Sequence, residues 1–126
     1  MTTAADLTPE ELAEFRAAAR KRYRAEQEAL VKREQAARGL AVRAATTLRE
    51  QFGVERIALF GSLVHPGCFT RWSDVDVAAW GIRAEDTLRA MEVVADLSAE
   101  IAVNLVDVAA CRASLRRVIE AEGEPL

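Results

Sequence analysis

The chain has 126 residues and a mass of 13.8 kDa, which fits one domain with at most one long appendage. Hydrophobic residues make up 51% and charged residues 29% of the chain, so we expect a packed core and exclude disorder along the whole length. The net charge of −3 and the isoelectric point near 5.3 argue against a general nucleic-acid-binding surface, so no direct nucleic-acid binding is expected.

The first segment, residues 8–52, is predicted to be helical. Thr8 suits the cap, Pro9 suits the first helical position, and Glu11 stands where a capping box places a carboxylate. Good helix formers follow, although the apolar stripe along them is thin. Gly39 either breaks this helix or is carried within it at a cost of ~1 kcal/mol relative to alanine.

We divide the chain at this glycine into an N-terminal helical arm (residues 1–39) and a compact domain (residues 40–126). A helix of about 30 residues is ~45 Å long, which is more than a domain of this size covers. The arm is therefore a solvated helix, half of a homo-oligomeric coiled coil, or a docking arm for a partner. A thin polar helix is marginal alone, which favours dimerisation or partner docking.

Short apolar runs alternate with amphipathic segments in the rest of the chain. The predicted strands are residues 56–60, 74–80 and 101–108. The predicted helices are residues 84–96 and 112–122. The residues expected to face inward are Leu88, Met91, Val94 and Ala95 on the first and Leu115, Val118 and Ile119 on the second. This order predicts a small sheet backed by helices, in the α/β or α+β class.

The second predicted strand begins with the sequence Asp-Val-Asp at residues 74–76. Side chains two residues apart on a strand share a face, so Asp74 and Asp76 point the same way and repel one another unless a cation neutralises them. Hard divalent cations such as Mg²⁺ use such oxygens as ligands. Gly61 allows close approach at the end of the preceding strand, and the Ser62 hydroxyl adds a donor, which suits a triphosphate. Metals that bridge carboxylates and phosphates are typical of nucleotidyl transfer.

The segment FGS at residues 60–62, followed by WSDVDV at residues 72–77, resembles the nucleotidyltransferase superfamily of DNA polymerase β. In particular it resembles the minimal nucleotidyltransferases that partner HEPN toxins in prokaryotic toxin–antitoxin pairs. The resemblance covers residues 40–126 and implies a mixed sheet flanked by helices, the nucleotidyltransferase fold, here preceded by a long N-terminal helix. It also implies Mg²⁺ or Mn²⁺ at Asp74 and Asp76, ATP as the donor, and nucleotide binding by Gly61, Ser62 and Ser73.

The resemblance further implies an antitoxin that transfers AMP from Mg–ATP to a hydroxyl, expected to be a tyrosine, of a partner HEPN toxin. The alternative is a catalytically impaired antitoxin of the same fold that binds and occludes its toxin. A transferase for a small molecule is disfavoured, because 126 residues leave little room for the extra domain that holds such an acceptor.

The main departure from the family pattern is Asn104, which stands where the superfamily has its third catalytic carboxylate. We assign it to the catalytic set with Asp74 and Asp76, although asparagine offers only a neutral oxygen and accepts no proton as a base. Asp107 lies at an odd offset on the same strand, so we expect it on the opposite face, capping the next turn. Asn104 marks a slow enzyme, a natural pseudoenzyme or an engineered Asp→Asn change.

A second departure is the missing basic residue after the Gly-Ser pair. Either His65 or Arg71 replaces that contact to phosphate, or His65 is simply an exposed loop residue, the interpretation we prefer.

The expected location is the cytoplasm, without a membrane partner. No apolar stretch approaches the ~20 residues that cross a bilayer, and Met1–Glu11 shows no secretory pattern. Cys68 and Cys111 form no CxxC pair, which argues against a zinc site or a disulfide scaffold.

Overall fold

The first helix extends beyond the predicted N-terminal arm of residues 1–39 and into the compact domain. The structure, a computed structural model, describes residues 6–126, so the first five residues of the arm lie outside the described residues. Helix α1 spans Pro9–Phe52, and the Thr8 hydroxyl oxygen accepts the Glu11 N–H at 3.1 Å, which confirms the predicted cap. The helix continues through Gly39, where an added Cβ would meet nothing.

The chain separates into two compact units, one ending at Lys32 and one spanning Arg33–Leu126. In the first unit the helix exposes two aromatic side chains, Phe15 by 60% and Tyr23 by 65%. In the second unit the same helix buries one face, beginning at Ala37. The predicted division at residues 39 and 40 stays a prediction.

Four strands form one mixed sheet. They are β1 (Arg56–Phe60), β2 (Val75–Trp80), β3 (Val103–Asp107) and β4 (Glu124–Pro125). Their order is β3-β2-β1-β4, with β1 antiparallel to β2 and β4, and β2 parallel to β3. The expected fold class is confirmed. The sequence did not predict β4, because two residues are too short to form a pattern and only their pairing with β1 makes them a strand.

Two shorter helices follow the predicted order. They are α2 (Thr87–Ala95) and α3 (Ala113–Glu122). The predictions that Leu88 and Ala95 of α2 and Val118 of α3 face inward were wrong, since all three are exposed. The buried residues of α2 are Ala90 and Val94. The helical period explains the error for Leu88, because a residue two positions from Ala90 lies on the far side of the helix.

The strands place the aspartates on one face of the sheet. Side chains alternate along β2, so Asp76 shares a face with Ala78, which packs in a buried cluster with Phe60, Val108 and Ile119 of α3. The hydrophobic cluster therefore supports the same face on which the candidate site lies.

Candidate active site

Two aspartates and one asparagine lie side by side at one end of the sheet. Asp74 directly precedes β2, and Asn104 stands opposite Asp76 in the parallel register of β2 and β3. Asn104 Nδ2 donates to Oδ1 of Asp76 at 3.2 Å and to Oδ2 of Asp74 at 3.4 Å. The structure thus brings together the three side chains that the sequence assigned to catalysis. Their catalytic roles stay predictions.

The electrostatics of this group favour a bound cation. Burial raises the pKa of Asp76 above its usual value, the Asn104 hydrogen bond lowers it in part, and the charge of Asp74 raises it further. None of the ion pairs among residues 6–126 involves either aspartate. The two carboxylates therefore share a neutral amide, and neither forms an ion pair with a basic side chain within residues 6–126.

The donor set fits a hard divalent cation. The carboxylate oxygens of Asp74 and Asp76 and, after rotation of its amide, the oxygen of Asn104 are the ligand types that Mg²⁺ and Mn²⁺ prefer. No group of three or more His, Cys, Asp or Glu side chains gathers for a metal among the described residues. The site thus offers two charged ligands, as the sequence indicated, and Asn104 is the third polar member.

Gly61 lies directly against the carboxylate of Asp76. Its φ is +80°, a left-handed conformation that favours glycine, and a Cβ added here would overlap Oδ2 of Asp76. Gly61 begins a short 3-10 helix, Gly61–Val64, where the sequence predicted only a loop. The close approach explains in physical terms why this position takes a glycine.

If the site performs the AMP transfer that the sequence resemblance implies, Gly61→Ala should lower its rate by about a hundredfold or more, because the new methyl group displaces the Asp76 carboxylate and strains the left-handed backbone. Initial rates with labelled ATP would measure the loss. Gly67→Ala is the matched control, since Gly67 also has a positive φ of 78° but an added Cβ there meets nothing. Equal losses in both variants would contradict the special role of Gly61.

The two predicted nucleotide-binding serines differ in their surroundings. The Ser62 hydroxyl has no hydrogen-bond partner within the described part of the chain, which leaves it available to a ligand. The Ser73 hydroxyl oxygen instead accepts the Thr70 N–H at 2.9 Å and bonds the Thr70 hydroxyl at 3.2 Å. Ser73 therefore shapes the loop before β2, and its predicted contact to nucleotide stays a prediction.

The two residues predicted as possible phosphate contacts, His65 and Arg71, also lie in different surroundings. His65 Nε2 pairs with a Glu122 carboxylate oxygen at 2.9 Å on the surface, in keeping with the preferred interpretation as an exposed loop residue. Arg71 lies beside Asp74 and Asn104 and lines the same cleft. Of the two, Arg71 is the residue placed to contact a bound anion.

Asp107 lies away from the other carboxylates, as its odd offset from Asn104 predicted. It is only 8% exposed, and its carboxylate accepts the Thr87 hydroxyl at 3.1 Å and the Ala109 N–H at 3.2 Å. Asp107 caps the turn after β3 and does not replace the missing third carboxylate.

Two arginines of α1 support the site, and sequence reasoning missed both. Arg33 donates to the Ser73 carbonyl at 3.0 Å, and Arg38 donates to the Leu63 carbonyl at 2.8 Å. They hold the two ends of the single connection between β1 and β2, residues 61–74. No local pattern could have found them, because 40 and 25 residues separate the partners.

A cleft of 520 Å³ opens beside the carboxylates, lined in part by Arg33, Arg71, Trp72, Asp74 and Asn104. A larger apolar groove of 740 Å³ lies between α2, β3 and α3 and includes neither Asp74 nor Asp76. Charged and polar groups converge at the smaller cleft, which makes it the candidate binding site.

Replacement of Asp76 by asparagine tests how much the partly buried carboxylate charge of Asp76 destabilises the metal-free protein. A raised pKa means that the folded protein binds the proton more tightly than the unfolded chain, so stability is lost as pH rises from the ordinary value of 3.8 through the raised pKa. Asp76→Asn should remove this loss and raise the metal-free melting temperature at pH 7 by a few degrees, roughly 4 °C per kcal/mol.

Thermal melts in EDTA between pH 4 and 7 measure the effect, and added Mg²⁺ should stabilise the parent chain more than the variant. Glu92→Gln, an exposed position on α2, controls for loss of one negative charge. A variant melting curve with the same pH dependence as the parent would count against the buried charge as its cause.

Within residues 6–126 no helix is long and apolar enough to cross a membrane.

Comparisons with known proteins find the same fold. No family model matches the chain, nor does any curated protein. Two structures of the toxin–antitoxin MntA–HpeT do match, a Tyr-to-Ala variant and a variant with two aspartates, two positions apart, changed to glutamate. The first is 23% identical, with a TM-score of 0.54 over 67% of this chain and 68% of that chain. The second is 19% identical, with a TM-score of 0.55 over 68% and 70%. The chain therefore has the fold found in these toxin–antitoxin structures, a mixed sheet flanked by helices, which is the architecture that the sequence resemblance implied.

Proposed function

We propose that this chain is the antitoxin of a toxin–antitoxin pair and transfers AMP from Mg–ATP to a tyrosine hydroxyl of a partner HEPN toxin. The observation that carries the proposal is the pair Asp74 and Asp76, held together by Asn104. The MntA–HpeT fold likeness supports the partner class. The two aspartates altered in one of those structures have the same spacing as Asp74 and Asp76.

The residues divide the chemistry among them. In the transfer, the acceptor oxygen bonds the α-phosphorus of ATP, the bond to the bridging oxygen breaks, and pyrophosphate leaves with the bonding electrons. Asp74 and Asp76 would hold Mg²⁺, which when bound neutralises phosphate charge. Asn104 orients both carboxylates but accepts no proton, so the hydroxyl proton passes to water and the transfer is slow.

Label transfer tests this function directly. The protein is mixed with α-labelled ATP, Mg²⁺ and the HEPN-type toxin encoded beside it, and label on the toxin is the expected result. EDTA should abolish the label. A stable complex that carries no label, from this chain or from Asn104→Asp, would identify a binding antitoxin instead.

An antitoxin that occludes its toxin is the second candidate, favoured by two observations. Asn104 leaves the site without a base in the third position. The N-terminal arm also exposes the rings of Phe15 and Tyr23 among charged residues, a surface suited to a partner or to a second copy of the chain. Under this candidate function, the antitoxin neutralises its toxin by binding it, and no AMP transfer is needed.

A further inference from the structure

An exposed indole ring stands at the cleft beside the carboxylates. The side chain of Trp72 is 78% exposed, yet its backbone N–H donates to the Thr70 hydroxyl at 3.2 Å. The same loop is closed by the Thr70–Ser73 hydrogen bonds and tied to α1 by Arg33. Because the loop is held by these hydrogen bonds and the ring is exposed to solvent, Trp72 is better placed to contact a ligand than to pack in the core.

The order of strands decides which reactant reaches this ring. Gly61 follows β1, Asp76 lies on β2, and Asn104 lies on β3, so the three stand in line across the sheet. In-line displacement puts the entering hydroxyl and the leaving pyrophosphate on opposite sides of the α-phosphorus. With the outer phosphates beside Gly61 and the α-phosphate at the aspartates, the hydroxyl enters from the Asn104 side.

We infer that the 520 Å³ cleft is the acceptor subsite and that Trp72 stacks against the ring of the acceptor tyrosine. The inference rests on the proposed function, which supplies the direction of transfer. The Arg71 guanidinium lies 4.7 Å from the centre of the Trp72 ring and leaves most of that ring open. An offset-stacked phenol fits the open ring, with its hydroxyl directed toward Asn104 and Asp74.

A binding experiment without ATP or metal tests the subsite. The full chain carries two tryptophans, so the Trp72 and Trp80 indole N–H signals in an NMR spectrum can be assigned with Trp72→Phe. N-acetyl-tyrosinamide should shift the Trp72 signal and spare that of Trp80. N-acetyl-leucinamide and adenosine should shift neither. A Trp72 shift with adenosine alone would make the ring a nucleobase platform, and no shift with tyrosinamide would equally overturn the inference.

Transfer kinetics give the second test. Trp72→Ala should raise the KM for the toxin about tenfold and leave the KM for Mg–ATP within about twofold, with Trp72→Phe restoring most of the loss. Leu88→Ala is the matched control, because Leu88 is 76% exposed and lies outside the cleft. A raised KM for ATP with an unchanged KM for toxin would overturn the inference.

The two tests separate this inference from the proposed function. If the parent chain transfers no label, the function fails, while the tyrosinamide titration still decides the subsite. If label is transferred and Trp72→Ala changes no KM, the function stands and the subsite inference fails.

Discussion

Replacing Asn104 with aspartate is expected to raise the rate of AMP transfer by about tenfold to a hundredfold, because a positioned base contributes at least this much to proton transfer. Asn104 lies opposite Asp76 and within hydrogen-bond distance of both aspartates, so an aspartate there joins them at one site. The new carboxylate adds a charged metal ligand and a proton acceptor beside the entering hydroxyl. Asp107 does not fill that role, since it faces away from the aspartates and its carboxylate is committed to Thr87 and Ala109.

The same change should destabilise the metal-free protein. Asn104 now donates to two carboxylates, whereas an aspartate adds a third negative charge beside an Asp76 whose pKa is already raised by burial and by Asp74. We therefore expect a lower melting temperature in EDTA and a larger stabilisation by Mg²⁺ than in the parent chain.

Initial rates with α-labelled ATP, measured over a range of Mg²⁺ concentrations, check both effects of Asn104→Asp. Asn104→Ala is the matched control, because it removes the amide without adding a base and should not speed transfer. An unchanged rate in Asn104→Asp, together with unchanged Mg²⁺ stabilisation, would show that position 104 does not complete the site.

Part of this site follows from the chain itself and part does not. The shared face of Asp74 and Asp76 follows from the period of two along a strand, and the odd offset of Asp107 places it on the other face. The meeting of Asn104 with both aspartates depends on the pairing of β3 with β2, which no local pattern specifies and which the family resemblance supplied.

Other features depend on packing that the sequence does not display. Arg33 reaches the Ser73 carbonyl across 40 positions, and the fold alone brings these residues together. Leu88 fits an apolar stripe by residue type, but Ala90 and Val94 determine the buried side of α2. Ser73 has the correct type for a nucleotide contact, whereas its hydroxyl is used by Thr70. Residue type thus predicts chemistry well, and hydrogen-bond geometry decides which groups remain available.

Asp74→Ala is expected to lower transfer by about a hundredfold or more, because it removes one of the two charged ligands for the metal. Asn104 also loses the acceptor of its 3.4 Å hydrogen bond, so the remaining pair is less well oriented. Label transfer and Mg²⁺-dependent melting measure the loss, with Glu92→Ala on α2 as the surface control. Retained transfer in Asp74→Ala would contradict the metal role assigned to this aspartate.

Whether the Asp74→Ala variant still neutralises the toxin then separates the two candidate functions. If AMP transfer neutralises the toxin, the variant fails to protect cells even though it still binds its partner. If occlusion neutralises the toxin, the variant protects as well as the parent, and Phe15→Ala combined with Tyr23→Ala becomes the damaging change, because these exposed rings supply apolar contact surface. The transfer function places the essential residues beside β2, whereas occlusion through the arm places them on the exposed face of α1, so the two sets of variants predict opposite outcomes.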